Sequence, residues 1–245
     1  DATAAICARF AAQDARVRYV RQPENIGAKA NFRFVLAQAT APLFMWMAAD
    51  DICEPDMLGA LVAVHDQDPG VVLATTDVLY VDTDGTHLEV THLDTIRADP
   101  AGGLWPDKRR RFFRNPASNI LYAIYGLYRR ETLVSLKLGF GEGLRYEAGL
   151  EIPLLAQMAC RGKIVSIAAV GKHNRNNLDS VYYREQTAMR PWHRLDNLID
   201  ISRKLYTVLA GAPLTLAEKW PLYATVTRDM VFGATRLTLG SLYRA

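Results

Sequence analysis

Cysteine, long apolar runs and net charge are all scarce in this chain, and each scarcity excludes something. Its three cysteines, Cys7, Cys53 and Cys160, show neither paired nor metal-ligand spacing. That excludes a disulfide scaffold and sets the expectation of a reducing, cytoplasmic compartment. No uninterrupted apolar run reaches the roughly 18 residues that span a bilayer, and no secretory leader is recognisable. A net charge of only +3 over 245 residues gives no argument for nucleic acid, so none is expected as a partner. Internal repeats and low-complexity segments are missing too. What remains is an ordinary globular balance, half hydrophobic and about a fifth charged, long enough for one large domain or a medium domain with an extension.

The most informative stretch is APLFMWMAADDICEPDML, residues 41–58. Leu43 to Met47 has the length and bulk of a strand buried on both faces. It stops at Asp50-Asp51, and Pro55-Asp56 opens a segment with apolar residues at 57, 58, 61 and 62, which is helical spacing. Two carboxylates are thereby expected at the carboxyl end of a central strand, where open α/β sheets place their ligand crevice. Adjacent acids repel unless a cation neutralises them, and Mg²⁺ or Mn²⁺ sharing its shell with substrate phosphates suits that role. A solvated turn capping the next helix is the other reading.

Upstream, RYVRQPENIGAKANFRFVLAQAT reads as a short strand over 17–20, an Asn25-Ile26-Gly27 turn and a helix. Asn25 is placed to cap that helix, and Gly27 allows close backbone approach to a ligand. Lys29, in the first turn, either attracts a pyrophosphate or is an exposed lysine. This order of elements resembles the family 2 glycosyltransferases, nucleotide-sugar enzymes of the GT-A fold, with an Asn-x-Gly loop followed by an Asp-rich motif. Family members often carry an Asp two residues before the acidic pair, where this chain has Ala48. The resemblance covers most of 1–185 and implies a mostly parallel α/β sheet flanked by helices. In that family a strand, a helix and a second strand, which supply the base-binding acid and the sheet's central strand, precede a similar Asp-x-Thr. Roughly 35 residues are therefore expected to be missing before Asp1, against the ~30 a βαβ unit needs; a truncated protein is the other reading.

Two later stretches add to the resemblance. NILYAIYGLYRR, residues 119–130, reads as a core strand and is similar to a Tyr-Gly-Leu-Tyr-Arg stretch before the family's acceptor region. GFGEGLRYEAGLEIPLLAQMACRGKIVSI follows, with a glycine-rich loop, Glu151 and a Pro-opened helix. Family sequences usually have Glu-Asp there; Leu150-Glu151 stands in this chain. The resemblance implies that Glu151 is the catalytic base, with Glu147 and Glu142 in reserve, and the dipole of the helix is expected to keep it ionised; an acid that only suits the helix N-terminus is the other reading. A strand is expected over 164–167, and His173 and Arg175 after a further strand are implied as metal ligand and phosphate clamp.

Between these, 71–75 and 78–81 read as strands, and Asp82-Thr83-Asp84-Gly85 as a turn rather than a metal loop. Residues 91–103 read as irregular surface. The basic run 108–114 reads as a solvated helix face with Phe112 and Phe113 tucked inward, or as an anion-binding patch. From Pro191 the pattern becomes helical, with a capping box at Thr215–Glu218. This extension, 189–245, either packs on the catalytic domain, 1–188, or lies on a membrane surface. The combined expectation is metal-assisted transfer of a sugar from a nucleoside-diphosphate sugar to a glycan or lipid-linked acceptor hydroxyl, with inversion. Asp50 would hold ribose and Asp51 the metal. A nucleotidyltransferase and a non-catalytic nucleotide- or glycan-binding module stay open.

Overall fold

The computed structural model describes residues 2–242 apart from 83, 98–104, 115–118, 137–138, 140, 147–148 and 176–188. Two helices come first, α1 (Thr3–Gln13) and α2 (Gly27–Gln38). The strands β1 (Leu43–Met45) and β2 (Ile52–Cys53) bracket the acidic turn, and α3 (Met57–Gln67) follows. Then come β3 (Val71–Val81), β4 (His87–Thr91), α4 (Trp105–Arg114), β5 (Leu127–Arg129) and α5 (Arg130–Val134). The chain continues through α6 (Ile152–Ala159), β6 (Lys163–Arg175), α7 (Pro191–Gly211) and α8 (Leu216–Leu242).

The sheet is mixed, in the order β1-β5-β3-β6-β2, with β4 also on β3. Its centre is β3, buried along nearly all of its length. It runs parallel to β6 from Val71–Lys163 to Val81–Arg175. All other pairings are antiparallel, so the expected mostly parallel sheet is a mixed one flanked by helices.

The central strand is therefore β3, and β1 ends the row of described strands. Phe44 and Trp46 are buried while Met47 is exposed, which is alternation rather than burial on both faces. Residues 17–20 form no strand; Val17, Tyr19 and Val20 are exposed and no described strand pairs with them. The runs 71–75 and 78–81 are one strand. Likewise β6 continues past Ile167 to Arg175, absorbing its irregularity as register shifts around Thr76 and Asp77, so His173 and Arg175 lie in this strand.

Residues 119–130 hold a 3₁₀ turn, Asn119–Tyr125, before the short β5. A buried apolar run is ambiguous between helix and strand by pattern alone. Gly126 lets the turn close on β3, since a Cβ there would sit 2.5 Å from the Ala74 carbonyl oxygen. The 91–103 stretch is not surface throughout: Leu93 and Ile96 are buried around a 3₁₀ turn, Asp94–Ile96. Asp77 anchors it by accepting from Leu93 N, Arg97 and the His92 ring. The Asp82 turn behaves as expected, its carboxylate accepting from the amides of Asp84 and Thr86.

One core joins the sheet to the C-terminal helices: Phe112, Phe113, Leu155 and Met158 share it with Leu205, Leu209, Leu222 and Val226. Glu218 accepts from Thr215 N at 2.9 Å while Thr215 Oγ1 accepts from Glu218 N, the expected capping box. Its other oxygen takes 2.9 Å from Arg109, which is buried; Arg110 and Arg111 stay exposed. The basic run is thus a helix face with one member recruited inward. No helix among the described residues is long and apolar enough to cross a membrane. The expected boundary at 188 falls outside the described residues, as does Glu147.

Candidate active site

The turn between β1 and β2 carries the acidic pair. Asp50 is exposed, whereas the Asp51 side chain retains 2% of its surface and meets the ammonium of Lys172, equally buried, at 2.5 Å. The contact is electrostatic, since neither Asp51 Oδ2 nor Lys172 Nζ has a partner at hydrogen-bond geometry. Asp51 Oδ1 accepts from the Arg175 amide at 3.2 Å. Register explains the meeting: β2 pairs Ile52 with His173 and Cys53 with Lys172, so Asp51 lies against the far end of β6. Lys172 Nζ also lies 3.4 Å from the centre of the Tyr125 ring, a cation–π contact in a dry site. Burial lowers the Lys172 pKa, and the Asp51 carboxylate opposes that shift.

Lys172 was not singled out in the sequence, because a lysine in an apolar strand reads as an edge residue. The available signal was register: a strand-end acid whose neighbour Cys53 pairs with Lys172 near the far end of β6.

His173 Nε2 lies 2.6 Å from Glu54 Oε1, and its ring packs edge-on against His87. The residues do not fit the divalent ion implied by the acidic motif. Asp51 is engaged by an ammonium, His173 by Glu54, and no group of three His, Cys, Asp or Glu able to hold an ion occurs among the described residues. A cation at Asp51 would have to displace Lys172 and leave it buried and unpaired, a loss worth about 3–5 kcal/mol. The expected metal roles of Asp51 and His173 accordingly find no site here.

At the start of α2, Asn25 Oδ1 accepts from Gly27 N at 2.9 Å. Gly27 has φ +75° with open space around its Cβ position, so glycine is required by conformation rather than by crowding. Lys29 Nζ donates to the Leu144 carbonyl at 2.9 Å, which ties this turn to the glycine-rich loop 115 residues on. Arg175 closes β6, and its Nε has no hydrogen-bond partner among the described residues.

That loop ends in Gly149, Leu150 and Glu151. Gly149 has φ +81°, and a Cβ there would come within 2.9 Å of Ile201. Leu150 is buried, as is every residue of α6, so the carboxyl of Glu151 sits at the mouth of an apolar helix without a side-chain cap bond. Burial pushes its pKa up to about 7. The helix dipole does not hold it down as expected, because desolvation disfavours the charged form more strongly here. Glu142 is exposed and accepts from Gly139 N.

Tyr125 joins the two halves. Burial raises its phenol's pKa, and Asp51, Glu151 and Asp50 push the same way, so one side chain feels both the strand-end acids and the loop carboxyl. Asp51, Lys172 and the Arg175 amide are joined directly, and the charges of Asp50, Asp51 and Glu151 all reach the Tyr125 phenol. Chemically the arrangement offers an acid pair with one member neutralised by Lys172, an arginine and a carboxyl poised to exchange a proton near neutrality.

The sequence model of Glycosyl transferase family 2 matches residues 1–136. Among solved structures, S. aureus TarS 1–349 in complex with UDP-GlcNAc is similar with a TM-score of 0.64 and 15% identity, over 95% of this chain and 61% of that one. TarS 1–349 in complex with UDP gives 0.62 and 15%, over 96% and 60%. S. aureus TarS gives 0.62 and 14%, over 95% and 36%. The chain thus spans about three fifths of the TarS 1–349 structures, and at this identity the likeness establishes the fold. No curated protein matches the chain.

Proposed function

The chain belongs to glycosyl transferase family 2, and on that premise we propose that it moves a sugar from a nucleoside-diphosphate sugar to an acceptor hydroxyl with inversion. The observation that carries the reading is the Glu151 carboxyl at the mouth of α6, raised to about 7 by burial, with Tyr125 feeling both its charge and those of the strand-end acids. A base with that pKa is half ionised at neutral pH and well matched to taking a hydroxyl proton as its oxygen attacks. In one displacement the acceptor oxygen bonds to the anomeric carbon, the diphosphate leaves with the bonding electrons, and Glu151 holds the proton.

The charge growing on the diphosphate is met by Arg175 and by the opening turn of α2, where Asn25, Gly27 and Lys29 lie. Asp50, the exposed acid of the pair, takes the ribose. No step runs through Mg²⁺ or Mn²⁺, because the ion pair at Asp51 stands where that cation would be held. UDP sugars are the donors to try first, since similar structures hold UDP-GlcNAc and UDP. The acceptor is a glycan or lipid-linked sugar of bacterial surface-polymer assembly, with the C-terminal helices as the face turned to a peripheral membrane.

The test is product analysis with labelled UDP-GlcNAc and an oligosaccharide acceptor. Release of UDP with label transferred to the acceptor supports the reading. Release of GlcNAc 1-phosphate with the uridylyl group passed to the acceptor indicates nucleotidyl chemistry, and binding without any product indicates a non-catalytic module; either outcome overturns it.

A further inference from the structure

Asp51 is the second acid of a strand-end pair, yet its carboxylate is shut away from solvent. Among the described residues it meets the Lys172 ammonium at 2.5 Å and the Arg175 amide at 3.2 Å. Around Lys172 stand the Tyr125 ring at 3.4 Å, Asp51, Cys53 and Asp50. We infer that Lys172 is the built-in cation of this site, that Asp51 is a positioning residue for it and for the end of β6, and that nucleoside-diphosphate binding here is independent of divalent ions. The inference deepens the nucleotide-sugar reading and rests on it for the identity of the ligand.

Three observations converge. Whichever partner holds the shared proton, the Asp51–Lys172 pair is neutral, so an arriving diphosphate faces one exposed carboxylate, Asp50, instead of two. A divalent ion close enough to bind Asp51 would be repelled by an ammonium already within van der Waals reach of the same oxygen. Displacing that ammonium has no ready outlet, because Lys172 is 1% exposed and its ammonium is packed against the face of the Tyr125 ring. Asp51 also accepts from the Arg175 amide and so holds the end of β6. Lysine thereby does permanently, and without exchange, what a bound ion does reversibly at a pair of bare acids.

The experiment has two arms. In the first, Mn²⁺ alone is titrated into the protein and followed by its EPR signal, with no nucleotide present. The wild type is expected to show no micromolar site at Asp51, and Lys172→Met to gain one at least tenfold tighter by baring both acids. A micromolar wild-type site that Asp51→Asn removes overturns the inference; one that survives Asp51→Asn lies elsewhere and leaves it standing. In the second arm, UDP affinity of the wild type is measured in EDTA and in Mn²⁺. Agreement within about threefold supports the inference, and tenfold or greater tightening by Mn²⁺ overturns it even where neither variant folds. Failure of UDP to bind under either condition, with the Mn²⁺ arm as expected, counts against the nucleotide reading and not against the built-in cation.

Discussion

The turn after β1 and the loop before α6 each bury one carboxylate, and they treat it in opposite ways. Asp51 receives an ammonium at 2.5 Å and a backbone amide. Glu151 receives no side-chain cap bond and, among the described residues, no ion-pair partner, and burial raises its pKa to about 7. The same desolvation acts on both, so the difference lies in the partner supplied by the opposing element. At Asp51 that partner comes from β6 through strand register; at Glu151 the neighbours are Leu150, the buried helix and two tyrosines that feel its charge. A paired acid positions, and an unpaired buried acid is ready to exchange a proton near pH 7.

The largest expected effect comes from removing the unpaired acid. Glu151→Gln should lower turnover by roughly the 10²–10⁴-fold typical of lost general-base catalysis, with UDP affinity unchanged by calorimetry. Near-normal transfer by this variant removes Glu151 from the mechanism.

Breaking the paired acid should instead damage the fold. Lys172→Met leaves Asp51 buried and uncompensated, and denaturant unfolding should register a loss of about 3–5 kcal/mol. Adding Asp51→Leu should recover most of it, because replacing a whole buried pair with apolar groups is far less costly than halving it. A single variant as stable as the wild type would mean that the pair opens to water in solution.

The acidic turn, the Asn25–Gly27 turn, the capping box and the Glu151 helix were legible because each is written in neighbouring residues with a local physical cause. The partners of those residues were not. Lys172 meets Asp51, Lys29 meets Leu144 and Arg109 meets Glu218 across separations of about 110 to 120 residues, and composition carries no register. The 3₁₀ turn at 119–125 was missed for a related reason, since apolar bulk signals burial without choosing a backbone. The central strand was misplaced because Leu43–Met47 and Val71–Val81 are both apolar, and only pairing on both edges singles out β3.

Smaller effects sharpen the contrast. Glu151 has its pKa raised above the unfolded value of 4.5, so the native state binds more protons than the unfolded state between about pH 4.5 and 7. Stability is therefore lost as pH rises through that window. Glu151→Gln removes the cost, so its Tm should exceed that of the wild type at pH 8 and match it at pH 4. Equal Tm values at both would show that Glu151 is not desolvated. Smallest of all, Glu218→Ala should lower Tm by a few degrees through loss of the cap on α8 and of the Arg109 contact, read by differential scanning calorimetry. An unchanged Tm would show that the C-terminal helices dock without them.

The most direct test of Glu151 as the base is the pH dependence of kcat/KM for sugar transfer, measured from pH 5 to 9 by UDP release. The expected profile for the wild type rises with pH through a single ionisation near 7 and then levels, as one carboxyl loses its proton. In Glu151→Gln the residual rate should lose that ionisation. A wild-type profile already level above pH 5, or a variant that keeps the rise near 7, would contradict the assignment.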